Sequence, residues 1–293
     1  MKPVPFEYCR PDTLAEALAL LAERRSEAAL LAGGMSLGPM LNLRIVRPKS
    51  VIDISRLPDL DGIAVRADRL ITGATVIQAE ALASPVIRDA LPLLALALPW
   101  VGHFQTRNSG TLGGSVAHAD PSAEIPLCLV VADATVVLRS ARRERRIPAR
   151  DFFTGALSTV RREDEMVVAL EWPRAPADAG HAFEEIAQRH GDFAVAAAAC
   201  SLTLDGGGRI ATLALGLGGV EDRPIVIDTA AFIGRPADSD TARAIAASID
   251  ENIDPMEDHA ASAAYRRALA RVLVERILPR AAEAARSARK GAA

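Results

Sequence analysis

Two short runs in this chain carry a device that can hold an anion. Ala32-Gly33-Gly34-Met35-Ser36 and Thr111-Leu112-Gly113-Gly114-Ser115 each set adjacent glycines beside a serine. Glycine pairs let neighbouring backbone N–H groups turn into one concavity, which suits phosphate, and a hydroxyl adds a donor without bulk. Leu31 leads into the first run and Leu37 leaves it toward a helix-like segment; the second run opens such a segment too. A helix start would add its dipole to the site. One glycine pair is usually only a tight turn, but two in one region fit a ligand with two phosphates or a pyrophosphate. Asp120 and Glu124 follow the second run, beside His118 and Pro121. Their carboxylates suit sugar hydroxyls, and the reading as turn and helix-start residues stands equally open.

Other phosphate chemistries lack their residues. There is no GxxxxGK[ST] to place a lysine on terminal phosphates, and no GxGxxG after a first strand. Gly216-Leu217-Gly218-Gly219 lacks the dinucleotide spacing. Three cysteines, Cys9, Cys128 and Cys200, lie far apart without a CxxC pair, so neither a disulfide framework nor a cluster site is expected. No HExxH occurs, and neither a metal site nor a catalytic side chain is assigned.

The elements that must position these runs read as α+β. Thr13 and Glu16 stand in capping-box spacing before Leu14, Ala17, Leu18 and Leu21 at helical period. Short strands are expected before Gly33 and at 50–54, a hairpin at 62–74, and helices over roughly 76–99. Residues 127–140 and 145–153 read as strands, with the arginine-rich 142–146 at a solvated hairpin end. The stretch 172–180, rich in Pro and Ala, reads as a linker. Beyond it come two long strands around Gly206–Gly208. A helix with Leu269, Val272, Leu273 and Ile277 on one face follows, and the last ten residues read as frayed.

The length of 293 residues implies two or three domains. With 50% hydrophobic and 24% charged residues the chain reads as an ordinary globular protein, and a net charge of -3 argues against nucleic acid. No stretch suits a transmembrane helix, and the N-terminal residues lack a signal-peptide core, so a cytoplasmic protein is expected.

Residues 30–44 with 51–54, and 107–126, resemble the two FAD-binding stretches of the flavoprotein subunits of molybdenum hydroxylases. That family includes the medium subunit of aerobic carbon monoxide dehydrogenase and the flavin domain of xanthine dehydrogenase. Residues 149–155, 183–195 and 258–273 are similar to it as well. The resemblance implies a vanillyl-alcohol-oxidase-like (PCMH-type) FAD domain over 1–176, in two α+β parts of about 1–57 and 58–176. A C-terminal flavoprotein domain over 177–284 and a tail over 285–293 complete the chain.

By position, 31–37 and 111–115 would wrap the FAD pyrophosphate. Asp120 and Glu124 would lie toward the ribityl and adenosine region, Val167 beside the isoalloxazine, and Phe193 over it. Met35 stands where several relatives have His or Gln, Glu124 replaces a frequent Asp, and Phe193 lacks the hydroxyl of a Tyr found in some. The resemblance further implies an iron–sulfur subunit with [2Fe-2S] clusters and a large molybdopterin subunit as partners, in a dimer of heterotrimers. Electrons would pass to NAD, a quinone or another acceptor, either in the cytoplasm or, through partners, at the inner membrane face. A self-sufficient flavin oxidase and a flavin-free assembly subunit are the alternatives.

Overall fold

The computed structural model describes residues 1–292 and builds three sheets and a small hairpin from them. Near the N-terminus are β1 (Glu7–Cys9), α1 (Leu14–Arg24), β2 (Ala28–Leu31), α2 (Leu37–Asn42) and β3 (Ser50–Asp53). The three strands are parallel, in the order β1-β3-β2. Thr13 caps α1 by accepting from the Glu16 N–H at 3.2 Å, while the Glu16 carboxylate reaches back to the Asp12 N–H at 2.9 Å. The apolar stripe of α1 packs on Ile52, Ile54, Leu57 and Leu60. Val137, Met166 and Val168 of the next sheet close that core.

The second part holds β4 (Ile63–Arg66), β5 (Arg69–Gly73), α3 (Gln78–Ala83), α4 (Pro85–Ala90), α5 (Pro92–Ala97), α6 (Phe104–Arg107), α7 (Leu112–His118) and α8 (Glu124–Val131). It continues through β6 (Thr135–Arg139), β7 (Glu144–Pro148), α9 (Ala149–Phe152), the hairpin of β8 (Phe153–Gly155) and β9 (Ser158–Thr159), and β10 (Met166–Pro173). Its antiparallel sheet runs β4-β5-β10-β6-β7. Pro85 and Pro92 each begin a new helix, so the helical region over 76–99 is cut into short pieces.

Two sequence expectations fail here. Leu127–Val131, expected as strand, is the second half of α8, all of whose residues are buried. An unbroken apolar run looks alike in a buried strand and a buried helix. Residues 149–152 form α9 rather than continuing a strand. The linker is also shorter than expected, since Trp172 and Pro173 belong to β10. Trp172 is 1% exposed and donates its indole N–H to Thr72 Oγ1 at 3.1 Å.

The third part has β11 (Gly180–Ile186), β12 (Ala196–Leu204), β13 (Ile210–Gly218), β14 (Ile225–Val226), α10 (Ser239–Ser248) and α11 (Ala263–Ala292). Its antiparallel sheet, β11-β12-β13-β14, is buried on both faces. One face meets α11: Glu184 pairs with Arg276 and Arg280, and a side chain at Gly180 would run into Ala281 and Ala285. The other face joins the second part, where Phe183, Ala197 and Ala199 share a core with Leu93, Leu94 and Leu127.

On α11, Leu269, Leu273 and Ile277 are buried, but Val272 is 39% exposed and Val274 takes its place. The expected fraying is corrected as well. The helix runs to Ala292, Ala285 is buried, and Arg286 and Arg289 donate to the Ala237 and Leu204 carbonyls at 2.8 and 2.9 Å.

Candidate functional site

The first glycine run forms the turn from β2 into α2. Gly34 has φ +72, which favours glycine. The N–H groups of Gly33, Gly34, Met35, Ser36 and Leu37 have no acceptor among the described residues. Such a row of unspent donors can hold an anion. The helix behind it has only six residues, so the N–H groups, not a long dipole, supply the attraction. A side chain at Gly33 would overlap the Ser109 carbonyl and stand 2.9 Å from Gly110 Cα, so this turn sits directly on the two residues that lead into the second run. Met35 is 42% exposed.

The second run is built differently from the first. Thr111 caps α7, and both glycines lie in the first turn of that helix. The N–H groups of Leu112 and Gly113 bond to the Val76 and Ala74 carbonyls at 2.9 and 3.0 Å. Gly114 donates to Thr111 Oγ1 at 3.0 Å and Ser115 to the Thr111 carbonyl at 3.1 Å. The expected second concavity of free N–H groups is therefore absent. This run is a seat, with the Ser115 hydroxyl as its polar offering.

The seat rests on a segment that sequence reasoning missed, Ala74–Gln78. A side chain at Gly113 would come within 2.6 Å of Ala74 Cα, so backbone meets backbone there. Gln78 donates its N–H to the Gly110 carbonyl at 2.9 Å, while its buried Oε1 has no partner. The available signal was Thr72-Gly73-Ala74-Thr75, small residues running off the end of a strand.

Beyond α7, Ala119 turns the chain with φ 56, and Asp120 Oδ1 accepts from the Ser122 N–H at 2.9 Å. Asp120 thus serves its own turn. Glu124 begins α8 and is 8% exposed. Burial raises its pKa to about 7; its own N–H and Arg107 pull it down, and Asp120 adds to the rise. Arg107 is held by the Val101 and Gly102 carbonyls at 2.8 and 2.9 Å. Glu185, also missed, lies on β11 with both carboxylate oxygens buried and unpartnered. Burial, then the Glu124 charge, pushes it up to about 8.

Phe193 lies between β11 and β12, 71% exposed. Its neighbourhood is fixed, because a side chain at Gly191 would meet His103 and Trp100 stacks on His190 at 5.5 Å. Gly219 stands close to both the Ala194 carbonyl and Ser122, which ties this turn to the Asp120 loop. Val167 is 4% exposed, inside the core at a bulge of β10. Its side chain is committed to that core. The structure thus joins 32–37, 74–78, 109–115 and 119–124, with the Phe193 turn tied to the last.

A row of free main-chain donors suits the pyrophosphate of a dinucleotide, and comparison with known proteins says which. Residues 4–175 match the family described as the FAD binding domain in molybdopterin dehydrogenase. The chain belongs to that flavoprotein family. Residues 181–281 match the CO dehydrogenase flavoprotein C-terminal domain. This FAD-binding oxidoreductase subunit is 37% identical to the 6-hydroxypseudooxynicotine dehydrogenase complex subunit alpha of Paenarthrobacter nicotinovorans, over 98% of this chain and 97% of that one. Against the caffeine dehydrogenase subunit beta of a Pseudomonas species it is 35% identical, over 97% of each chain. Its fold matches a chain of the carbon monoxide dehydrogenase of Hydrogenophaga pseudoflava, a structure lacking the Mo-pyranopterin moiety. The TM-score is 0.93 at 34% identity, covering 98% of this chain and 99% of that one. The resemblance read from the two glycine runs is correct.

Proposed function

We propose that this subunit holds one FAD non-covalently across the joined loops and relays electrons through it. They arrive from an iron–sulfur subunit carrying [2Fe-2S] clusters, fed by a molybdopterin subunit, and leave to NAD, a quinone or another acceptor. The observation that carries the reading is the row of unspent N–H groups from Gly33 to Leu37, in a family whose domain binds FAD. The residues present fit the cofactor. Gly33–Leu37 offer donors to a pyrophosphate, and Ser109–Gly110 back that turn. Ser115 adds a hydroxyl, and Glu124 and Asp120 are acceptors for ribityl or ribose hydroxyls. The exposed Phe193 supplies an aromatic face, and Val167 gives the core behind the ring its shape.

When bound, FAD supplies the acceptance of electrons one or two at a time; the chain supplies grip, orientation and access. The divisions at about 57 and 176 are proposed domain boundaries, supported by the three sheets and their cores. A dimer of heterotrimers is the proposed assembly, consistent with relatives named as subunits.

The test is purification from the native host, followed by denaturation and analysis of the released flavin. FAD at one per chain, co-purifying with iron- and molybdenum-containing chains, is expected; FMN alone or no flavin overturns the reading. Turnover of an organic substrate by the isolated, metal-free chain would make it a self-sufficient oxidase instead.

A further inference from the structure

At the junction of the second and third parts lies a cavity of about 140 Å³, lined by none of the joined loops. α5 contributes Leu93 and Leu94, α8 contributes Cys128 and Val131, and β10 contributes Trp172. The linker residues Arg174 and Pro176 are exposed, so the cavity opens to solvent there. His181 on β11 and Ser201 on β12 complete it. These two are register partners, so their side chains stand side by side on the sheet face that meets the second part.

The polar groups available to an occupant are few. Trp172 spends its indole N–H on Thr72 Oγ1 at 3.1 Å, and the Cys128 thiol turns to the Leu93 carbonyl at 3.9 Å. Both ring nitrogens of His181 are buried, and neither has a partner among the described residues. Burial drives this imidazole to about 4, so near neutral pH it is uncharged and offers one donor and one acceptor. Buried polar atoms left unpaired cost stability, and packing alone would be served better by an apolar side chain. Phe183, two residues on and on the same face, is such a side chain. Among the described residues none that lines the cavity is acidic, so a cation has no counter-charge there. Arg174 sits at the exposed mouth, and an anion drawn further in, past leucine and tryptophan, would lose its hydration.

We propose that this cavity binds a neutral single-ring aromatic molecule bearing a hydroxyl group, its ring among Leu94, Val131 and Trp172 and its hydroxyl on His181 and Ser201. The size agrees, since an engineered apolar cavity of about 150 Å³ takes up benzene. A hydroxyl both donates and accepts, so it pairs with the imidazole and meets the Ser201 hydroxyl. The bound ring touches α5, α8 and β10 of the second part and β11 and β12 of the third, and so stabilises their junction.

The probe is phenol, titrated by calorimetry into the full chain as purified, near neutral pH, with benzene and benzoate as comparators. Phenol is expected to bind with a Kd of about 0.1–1 mM, in range for a ligand of its size. Benzene leaves the imidazole unpaired and binds about tenfold more weakly, and benzoate more weakly still. At a tenfold excess over its Kd, phenol raises the melting temperature by about 2–4 °C. His181→Phe keeps a ring in place without its nitrogens, so phenol falls to the affinity of benzene while benzene is unchanged. Ala132→Leu, at a partly exposed lining position just after α8, narrows the cavity and weakens both ligands about tenfold. Flavin content stays unaltered in either variant.

No heat of phenol binding below about 10 mM overturns the site. Binding untouched by Ala132→Leu puts the phenol elsewhere and overturns it too. Equal wild-type affinities for phenol and benzene, or a phenol preference that survives His181→Phe, overturn the role of His181. Tighter binding of benzoate overturns the neutral class and moves the contact to Arg174. Should His181→Phe not fold, Ala132→Leu and the wild-type preference decide.

Discussion

Gly33 and Met35 are two positions apart in the same turn, yet the structure gives them opposite sensitivities. Any side chain at Gly33 collides with the Ser109 carbonyl, so Gly33→Ala and Gly33→Val should both abolish FAD uptake by prising the turn off its seat. Gly114→Ala meets only Thr111 Oγ1, at 2.6 Å, and should cost about 1 kcal/mol by disturbing the cap. Met35→Ala should leave FAD affinity within about twofold, because in the proposed site backbone and not side chain makes the grip. Fluorescence titration of each purified variant, beside its thermal melt, separates these outcomes.

The titratable groups of the domain interface give the residue scale its pH dependence. His181, on the same face of β11 as Glu185, is driven by burial to about 4, and neither ring nitrogen has a partner. The unfolded chain therefore binds the His181 proton more readily between about pH 4 and 6.5, and stability rises with pH there. Glu124 and Glu185 act in the opposite sense. Their raised pKa values stabilise the fold at low pH, and that contribution is lost as pH climbs from 4.5 through about 7 and about 8. Above about pH 6.5 only the carboxylates remain in play, so the melting temperature should decline toward about pH 8.5. Glu185→Gln should flatten that decline by about 1–2 kcal/mol, on the scale of about 1.4 kcal/mol per pKa unit reduced for solvent screening.

At the scale of elements, Arg266 on α11 does the most with one side chain. It is 1% exposed and donates to the Val195 carbonyl at 2.6 Å, the Gly219 carbonyl at 2.5 Å and Asp258 at 2.7 Å. It therefore ties α11 to the ends of β12 and β13, next to the Phe193 turn. Arg266→Met should destabilise by about 3–5 kcal/mol, since two buried carbonyls and a carboxylate lose their donor. A thermal melt unchanged within error would refute that role.

Legibility in the sequence also divides by element. α1 declares itself through Thr13, Glu16 and its leucine period, and the β12–β13 hairpin through its glycine turn and long apolar runs. α8 does not, because eight buried residues in a row carry no amphipathic signal. The first glycine run is readable as an anion site from its residues alone. The donor count that separates it from the second run is not, because Ala74 and Val76 spend those donors through tertiary contact. Glu185 is silent for a similar reason: only the packing of β11 in the fold leaves its carboxylate buried without a donor.

For the whole molecule, the sheet with two buried faces makes the C-terminal part a wall of the second part's core. No helix among the described residues is long and apolar enough to cross a membrane. A chain ending at residue 176 would expose the faces of α5 and α8 that Phe183, Ala197 and Ala199 cover. It should aggregate on size-exclusion chromatography under conditions where the full chain elutes as a discrete species.

The main-chain turn at 33–37 has a consequence for which flavins this protein will accept. A grip made of peptide N–H groups recognises phosphate oxygens and is blind to substituents on the tricyclic ring. In the proposed site, ring-modified flavins joined to an unaltered adenosine diphosphate half should therefore keep the phosphate part of the grip, and only contacts at Phe193 and behind Val167 should discriminate among them. The driving force of the electron relay then becomes adjustable by choosing the molecule supplied, with no change to the polypeptide.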